Sequence, residues 1–424
     1  GHQGRGLGPD RGAEEVGGHA VIPAAGLPQV VELRDLAEVR SLLRDMRVSG
    51  GGISLMDKKC LFRVVRVKEL DIRAANILKQ EMLSRGGEVA TSRDVYELAG
   101  RNAECLIMGT LVQYERLLPK LRQQPFGLRA LADAIGAVLE SYAGGAPTCH
   151  PGLDLSRRPR IMGILNVTPD SFADPGVHFD REVAIAGAWR MVDEGADLID
   201  VGGESTRPGS DPTSFDDEVD RVVPVVKALA GDLPSHLSVD TYKAAVAARA
   251  LEAGAFMIND VSALRSDPGI TAVLRDAGCP VILMHMLGRP KTMQVNPVYD
   301  NVVEEVYRFF VERLTWAVDQ GLKEENLLVD PGIGFGKTLA HNLALIRGLR
   351  SFRSLGRPVV LGASRKRFIG EVLGLADPPD RVHGTVATSV IAALQEVEVV
   401  RVHDVKENVQ AVRLARAVFP GRGD

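Results

Sequence analysis

The amino-acid sequence predicts an α/β protein made of a (β/α)8 TIM barrel preceded by a small α/β domain. Three observations predict the barrel: short apolar runs recur after residue 160, crossover-length stretches separate them, and polar side chains follow the runs. The eight runs begin at Ile161, Leu198, Leu237, Phe256, Val281, Leu327, Val359 and Val399. Helical patterns fill connections such as 184–194, 243–253 and 302–318. A doubly wound sheet with fewer strands is the alternative, because the run at Phe256 is weak.

Length and composition limit the class of protein. With 424 residues the chain is too long for one small hydrophobic core, so we expect two domains. Hydrophobic residues make up 45% and charged residues 25%, which is typical of a soluble globular protein. The formal net charge of −4 gives no reason to expect nucleic acid or a membrane as a partner. The four cysteines form no C-x-x-C pair, so reduced thiols and a cytoplasmic location are expected.

The part of the chain before the barrel divides into three segments. Residues 1–50 are predicted to be disordered or irregular, 51–143 to form a small α/β accessory domain of unknown role, and 144–160 to be a linker to the barrel at 161–420. Strands are predicted at 60–65 and 104–108, a helix at 74–85, and two further helical stretches up to residue 141. No catalytic constellation is evident in this domain, and Lys79, Arg93 and Tyr114 are interpreted as surface residues.

The polar side chains at the ends of the apolar runs are the strongest functional signal. In a TIM barrel the active site lies at the carboxyl ends of the strands. A single Asp or Asn there is commonly just a helix cap. Capping does not account for Lys366, or for Arg401 and His403 two positions apart. We therefore interpret the strand ends as one site.

The residue types at these ends suit a flat heterocycle that carries phosphate. The side chains of Asp240, Asn259 and Asp330 can pair with the N–H edge of a nitrogen-rich ring, and Phe335 with Met284 or Met286 can cover its face. Strand alternation predicts that Arg401 and His403 face the same way, as donors to phosphate oxygens.

Residues 160–418 resemble one family closely. The segments that carry the resemblance, in this order and spacing, are I-M-G-I-L-N-V-T-P-D-S-F, D-V-G-G-E-S-T-R-P-G, S-V-D-T-Y-K, I-N-D-V-S, M-H-M, D-P-G-I-G-F-G-K, S-R-K and R-V-H-D-V. Together they resemble the dihydropteroate synthase family. The resemblance does not extend to residues 1–150.

The resemblance implies a transferase of folate biosynthesis that condenses 6-hydroxymethyl-7,8-dihydropterin diphosphate with 4-aminobenzoate to give 7,8-dihydropteroate and diphosphate. It assigns the pterin pocket to Asp240, Asn259, Asp330 and Lys366, with Met284 or Met286 and Phe335 on the ring. It assigns diphosphate to Arg401 and His403, and Mg²⁺ to Asn166. It assigns the aminobenzoate site to Phe172, Thr206, Arg207, Pro208, Ser364 and Lys366. The residues expected to take part in catalysis are Lys366, Arg207, Asp174 and Asp240.

The chemistry favours a dissociative, SN1-like path, because cleavage leaves a cation delocalised into the pterin and the aromatic amine is only a modest nucleophile. We expect a homodimer with small-molecule substrates and with neither nucleic acid nor membrane as a partner. Two other functions remain open: a pterin-dependent methyltransferase, which needs no aminobenzoate site, and a non-catalytic pterin-binding relative.

Overall fold

A computed structural model describes residues 29–97, 100–143, 149–155, 159–168, 181–205, 212–233 and 236–419. Two large hydrophobic clusters lie in it. One is built from residues between Val65 and Ile135, and the other from residues between Ile161 and Val412.

The N-terminal part is a three-stranded antiparallel sheet covered by helices. In chain order its elements are α1 Leu36–Asp45, α2 Gly50–Met56, a 3-10 turn Asp57–Lys59, β1 Phe62–Asp71, α3 Ile72–Leu83, β2 Glu88–Thr91, α4 Arg93–Glu97, β3 Asn102–Thr110, α5 Leu111–Leu121 and α6 Leu128–Tyr142. The strand order is β1-β3-β2, so β3 lies between two edge strands.

Two features of this part differ from the sequence expectations. Helix α1 forms where irregular structure was expected, because the side chain of Asp35 accepts from the backbone N–H groups of Ala37 and Glu38 and caps the first turn. The surface assignment of Tyr114 is wrong, since this ring is among the largest fully buried side chains and its hydroxyl donates to the carbonyl of Ile107 at 2.7 Å. An amphipathic Tyr can be buried when its hydroxyl finds an acceptor, as it does here.

The barrel contains eight parallel strands. They are β4 Arg160–Asn166, β5 Leu198–Gly202, β6 His236–Asp240, β7 Met257–Asp260, β8 Val281–Met284, β9 Leu327–Asp330, β10 Val360–Leu361 and β11 Val399–Val402. Their order is β10-β11-β4-β5-β6-β7-β8-β9, and a parallel bridge between Val329 and Val359 joins the two ends. The TIM-barrel prediction is confirmed, and each predicted strand start lies within one residue of the observed one.

Helices surround these strands. They are α7 Arg181–Asp193, α8 Phe215–Leu229, α9 Ala244–Glu252, α10 Ile270–Ala277, α11 Val302–Asp319, α12 Leu339–Arg347, α13 Arg367–Leu373, α14 Val382–Leu394 and α15 Val405–Val418. Most barrel strands are buried along nearly their whole length, as expected when helices cover the outside and side chains fill the interior. Within the described residues, no helix combines the length and the hydropathy needed to cross a membrane.

A short segment closes the amino-terminal end of the barrel. Leu153 and Leu155 pack against Met162, Leu198 and Met257, which lie near the first residues of their strands. Apolar side chains therefore fill this end of the interior, opposite the carboxyl ends of the strands.

The N-terminal part contacts the barrel at several places, two of which involve β1 and α6. The Arg66 Nη1 atom of β1 lies 2.8 Å from Glu304 Oε2 in the first turn of α11, and Lys68 pairs with the same carboxylate. The guanidinium of Arg350 lies over the ring of Tyr142 at the end of α6. Strand β1 and helix α6 therefore both lie against the outside of the barrel.

Candidate active site

A buried network joins four strands inside the barrel mouth. Arg401 donates from Nε to Asp200 Oδ2 at 2.5 Å and from Nη2 to Asp240 Oδ2 at 2.9 Å. Asn259 Nδ2 donates to the same Asp200 oxygen at 3.0 Å. Strands β5, β6, β7 and β11 thus each contribute one side chain, and three of these four residues were predicted from the sequence.

Asp200 is the residue of this network that the sequence reasoning did not assign. It is fully buried, and its Oδ1 has no hydrogen-bond partner in the described structure. The sequence does contain a signal for this residue, because Asp200 is an acid in the middle of the apolar run Leu198–Gly202. A carboxylate buried in such a strand needs a cation or several hydrogen-bond donors around it. Here the cation comes from Arg401, which lies far away in the sequence.

Burial and charge pairing act in opposite directions on this network. Burial raises the pKa of Asp240 to about 7, and the positive charge of Arg401 opposes that rise. Burial lowers the pKa of Arg401, but Asp200 and Asp240 outweigh it, so the net shift is upward. The guanidinium is therefore a permanent cation that holds two carboxylates together across the barrel interior.

Asp330 and Lys366 form a second polar group on β9 and in the loop after β10. Asp330 Oδ1 accepts from the N–H of Gly332 at 2.7 Å. A Cβ built on Gly362 would lie 3.4 Å from Asp330 Oδ2 and 3.9 Å from Lys366 Nζ, so both charged groups face the same small space. Burial raises the pKa of Asp330 and lowers that of Lys366 to about 8, and each group's charge opposes the other's shift.

An apolar surface lies beside this pair. Met284, Met286 and Met293 are buried together, and the partly buried ring of Phe335 packs on them. Lys366 Nζ lies 4.5 Å from the centroid of the Phe335 ring, over its face. The predicted ring-covering residues are thus brought together, and Met293 joins them without having been predicted.

Asn166 lies close to Asp240, across Gly202. A Cβ built on Gly202 would be 3.7 Å from Asn166 Oδ1 and 3.7 Å from the Cβ of Asp240. Because glycine has no side chain there, the amide of Asn166 has room beside the mouth. Among the described residues, no three His, Cys, Asp or Glu side chains converge on a potential metal site.

His403 and Ser364 contact each other at the ends of β11 and β10. His403 Nδ1 lies 3.0 Å from Ser364 Oγ, and the backbone N–H of His403 donates to the same oxygen at 3.1 Å. Arg401 instead reaches Asp200 and Asp240, so the structure gives these two predicted phosphate donors different partners.

Five predicted site residues lie outside the described part of the chain: Phe172, Asp174, Thr206, Arg207 and Pro208. The residues that flank 206–211 are described, and hydrogen bonds connect them to each other. Glu204 Oε2 accepts from the N–H of Thr213 at 3.0 Å and from Lys243 Nζ at 2.6 Å. Lys243 Nζ also donates to Glu218 Oε2 at 2.5 Å and to the carbonyl of Thr213 at 2.7 Å. The sequence reasoning gave Lys243 and Glu218 no role.

Fold and site together define a barrel enzyme whose mouth offers carboxylates, an amide, buried cations and an apolar face to a small polar ring. Residues 162–403 match the family model described as pterin binding enzyme. Dihydropteroate synthase of Escherichia coli (strain K12) is 47% identical over 270 residues, which make up 64% of this chain and 95% of that protein. The chain belongs to the dihydropteroate synthase family of pterin-binding enzymes.

Two further comparisons extend this similarity. The probable bifunctional folylpolyglutamate synthase/dihydropteroate synthase of Halobacterium salinarum is 40% identical over 392 residues, 92% of this chain and 47% of that protein. The solved structure of Xanthomonas albilineans dihydropteroate synthase with 4-aminobenzoic acid is 47% identical, with a TM-score of 0.59 over 63% of this chain and 95% of that one.

Proposed function

We propose that this chain is a transferase that condenses 6-hydroxymethyl-7,8-dihydropterin diphosphate with 4-aminobenzoate, releasing 7,8-dihydropteroate and diphosphate. The observation that carries the proposal is the convergence of Asp240, Asn259, Asp330 and Lys366 on one barrel mouth beside the apolar face of Phe335. Membership of the dihydropteroate synthase family supports the same reaction.

The pterin binds with its N–H edge towards the acidic interior. Carboxylate and amide oxygens accept from the ring and its amino group, and the unpartnered Oδ1 of Asp200 is a further buried acceptor. Phe335 and the methionines cover the ring face. Lys366 Nζ, between Asp330 and the Phe335 ring, donates to a ring acceptor and fixes the orientation of the ring.

The bond between the pterin methylene carbon and the diphosphate oxygen breaks first. The resulting cation is delocalised into the pterin and is favoured by the nearby carboxylates of Asp240 and Asp330. The amine of aminobenzoate then attacks the methylene carbon, and the proton lost by the nitrogen leaves with the diphosphate. No covalent enzyme intermediate forms on this path.

Diphosphate is held by His403 at the rim and by Arg401 deeper in the mouth. His403 is half-buried next to Ser364, where its ring can meet phosphate oxygens as they gain charge. Arg401 contributes a permanent positive charge, although Asp200 and Asp240 already bind two of its donor atoms.

We also propose Mg²⁺ as the cofactor, held by Asn166. The amide oxygen of Asn166 faces the space beside Gly202, and one such oxygen fits an ion that binds mainly to phosphate oxygens and water. When bound, Mg²⁺ would stabilise the negative charge on the departing diphosphate.

The aminobenzoate site is proposed to comprise Phe172, Thr206, Arg207 and Pro208, opposite Ser364 and Lys366, with Asp174 and Arg207 contributing to catalysis. The contacts from Lys243 to Glu204 and to the carbonyl of Thr213 support this proposal, because they anchor the residues on either side of 206–211.

The test is to mix the purified protein with the pterin diphosphate, Mg²⁺ and 4-aminobenzoate and to measure dihydropteroate. We expect product that depends on all three additions. Tight pterin binding without product would favour a non-catalytic binding protein. Methyl transfer from a pterin donor would favour the methyltransferase.

A homodimer is proposed as the assembly. Several large apolar side chains on α13, α14 and α15 are exposed, namely Val372, Leu373, Ile391, Leu394, Leu414 and Val418. An exposed apolar group of this kind on one side of a barrel is typical of a subunit interface. Light scattering coupled to gel filtration should give the mass of a dimer, and Leu414→Glu should give a monomer.

A further inference from the structure

Lys337, at the end of the loop after β9, is a buried lysine whose partners are not carboxylates. Only 4% of it is exposed. Its Nζ donates to the carbonyl of Phe335 at 3.0 Å and approaches Nδ1 of His285 at 3.0 Å and the carbonyl of His285 at 3.4 Å. A lysine amine is rarely buried without a specific role, because removing it from water is costly.

The other end of this contact is equally enclosed. His285 is buried and meets the ring of Phe309 edge-on, with a centroid distance of 4.7 Å. Burial, with the nearby charges of Lys337 and Arg265, lowers the pKa of His285 to about 2, so its ring is neutral. A neutral ring beside an amine donor accepts at Nδ1 and carries its proton on Nε2.

The two loops that Lys337 connects approach each other at backbone distance. A Cβ built on Gly332 would lie 1.9 Å from the carbonyl oxygen of His285, and one on Gly336 would lie 2.7 Å from the Cβ of Leu287. A side chain at either position would therefore meet the other loop. Both glycines also have a positive φ, a backbone conformation that favours glycine. Lys337 therefore lies behind two loops that must keep a fixed spacing.

These loops carry the apolar face of the pocket. Met284 and Met286 flank His285, and Phe335 lies two residues before Lys337. We propose that Lys337 is a positioning residue: by binding the carbonyl of Phe335 and the ring and carbonyl of His285 with one buried amine, it sets the spacing of the surface that covers the pterin. This inference rests on the proposed function, because it concerns the same pocket.

The test compares pterin affinity with aminobenzoate use in matched variants. Lys337→Met keeps the length of the side chain and removes its donors. We expect its Kd for the pterin diphosphate, measured by calorimetry, to rise about tenfold, the factor that one lost hydrogen bond represents. The KM for aminobenzoate should change less than about twofold, because none of the residues proposed for that site belongs to the apolar face.

Two variants of His285 test the contact from its other side. His285→Leu removes the ring acceptor while the amine of Lys337 remains, and it should weaken pterin binding in the same way. His285→Asn returns an acceptor oxygen near the position of Nδ1 and should restore most of the affinity. The double variant Lys337→Met, His285→Leu should bind no more weakly than the weaker single variant, because both single changes break the same contact.

Lys406→Met, an exposed lysine on α15, is the matched control and should leave all constants unchanged. The inference is overturned if Lys337→Met raises the pterin Kd and the aminobenzoate KM by the same factor, or if it lowers only Tm with both constants unchanged. A wild-type protein that binds the pterin without making product would contradict the proposed function alone, since the calorimetric comparison would still apply.

Discussion

Arg401 shows how one buried side chain can organise a site. It enters a region from which water is largely excluded, and the cost of its desolvation is offset by Asp200 and Asp240. In return, its fixed charge and planar donors hold two carboxylates in position on neighbouring strands. The acids expected to bind the pterin are thus positioned before any ligand arrives.

Asp330→Asn tests whether pterin binding needs the negative charge of Asp330. Asparagine keeps the shape of the side chain but loses the charge that faces Lys366, so pterin affinity should fall about 10- to 100-fold, or about 1.4 to 2.8 kcal/mol. Calorimetric titration measures the change. Asp276→Asn, at an exposed carboxylate on α10, is the control, and an unchanged pterin Kd in Asp330→Asn would contradict the assignment.

The lowered pKa of Lys337 also leads us to expect that the stability of the fold depends on pH. Burial, with the charge of Lys366, lowers its pKa from 10.5 to about 7, while Asp330 opposes the shift. Between those two values the unfolded chain binds a proton that the folded chain lacks, so stability rises with pH in this window. From pH 7 to pH 9 the wild type should gain about 1 to 3 kcal/mol relative to Lys337→Met.

Denaturant unfolding of the two proteins at pH 7, 8 and 9 measures this difference. The charged or titratable groups around Lys337 are Lys366, Asp330, His285 and His341, and all four remain in the variant. A difference in unfolding free energy that stays constant across the three pH values would mean that Lys337 is protonated throughout.

At the scale of elements, one lysine ties three segments together. Lys243 precedes α9, and its ammonium binds Glu204 after β5 and Glu218 in the first turn of α8. The hydroxyl of Tyr242 donates to the same Glu204 at 2.9 Å. This cluster holds the β5–α8 connection against the start of α9, next to the segment proposed to bind aminobenzoate.

Lys243→Met should therefore destabilise the barrel strongly. It removes the cation that two carboxylates share, one of them Glu218 with 1% of its side chain exposed, and breaking a buried pair costs about 3 to 5 kcal/mol. Calorimetric unfolding should show a clearly lower Tm. Adding Glu218→Gln should recover part of the loss, and a double variant no better than the single one would argue against the charge explanation.

At the scale of the whole molecule, the barrel and the N-terminal domain have separate cores. The Escherichia coli relative is matched over 95% of its length by 270 residues, about the size of the barrel, so the N-terminal domain is absent there. The Halobacterium salinarum relative matches 92% of this chain and therefore shares much of that domain. The barrel is thus the part of this chain that both relatives match.

Two truncated chains distinguish the role of the N-terminal domain from that of the segment that contains Leu153 and Leu155. A chain that begins at Cys149 retains Leu153 and Leu155 and should keep its synthase activity within about twofold, because no proposed site residue is lost. A chain that begins at Pro159 loses both leucines and uncovers the amino end of the interior. Its stability should fall by about 3 to 6 kcal/mol, at about 1.5 to 3 kcal/mol for each of the two buried leucines.

Activity assays and thermal unfolding of both truncated chains test this prediction. If the chain from Cys149 were folded but inactive, the N-terminal domain would have a direct role in catalysis, and the contacts of Arg66 and Lys68 with Glu304 would be the first place to look for it.

The sequence by itself determined the strand count, the strand positions and the polar residues at the strand ends. These follow from local patterns: an apolar run, a turn and a crossover helix are each encoded within a few tens of residues. The tertiary structure alone decided which side chains pair, such as Arg401 with Asp200, 201 positions away, or Lys337 with His285, 52 positions away. Such pairs depend on how the strands stagger around the closed barrel and how closely the loops approach, and no local pattern specifies either.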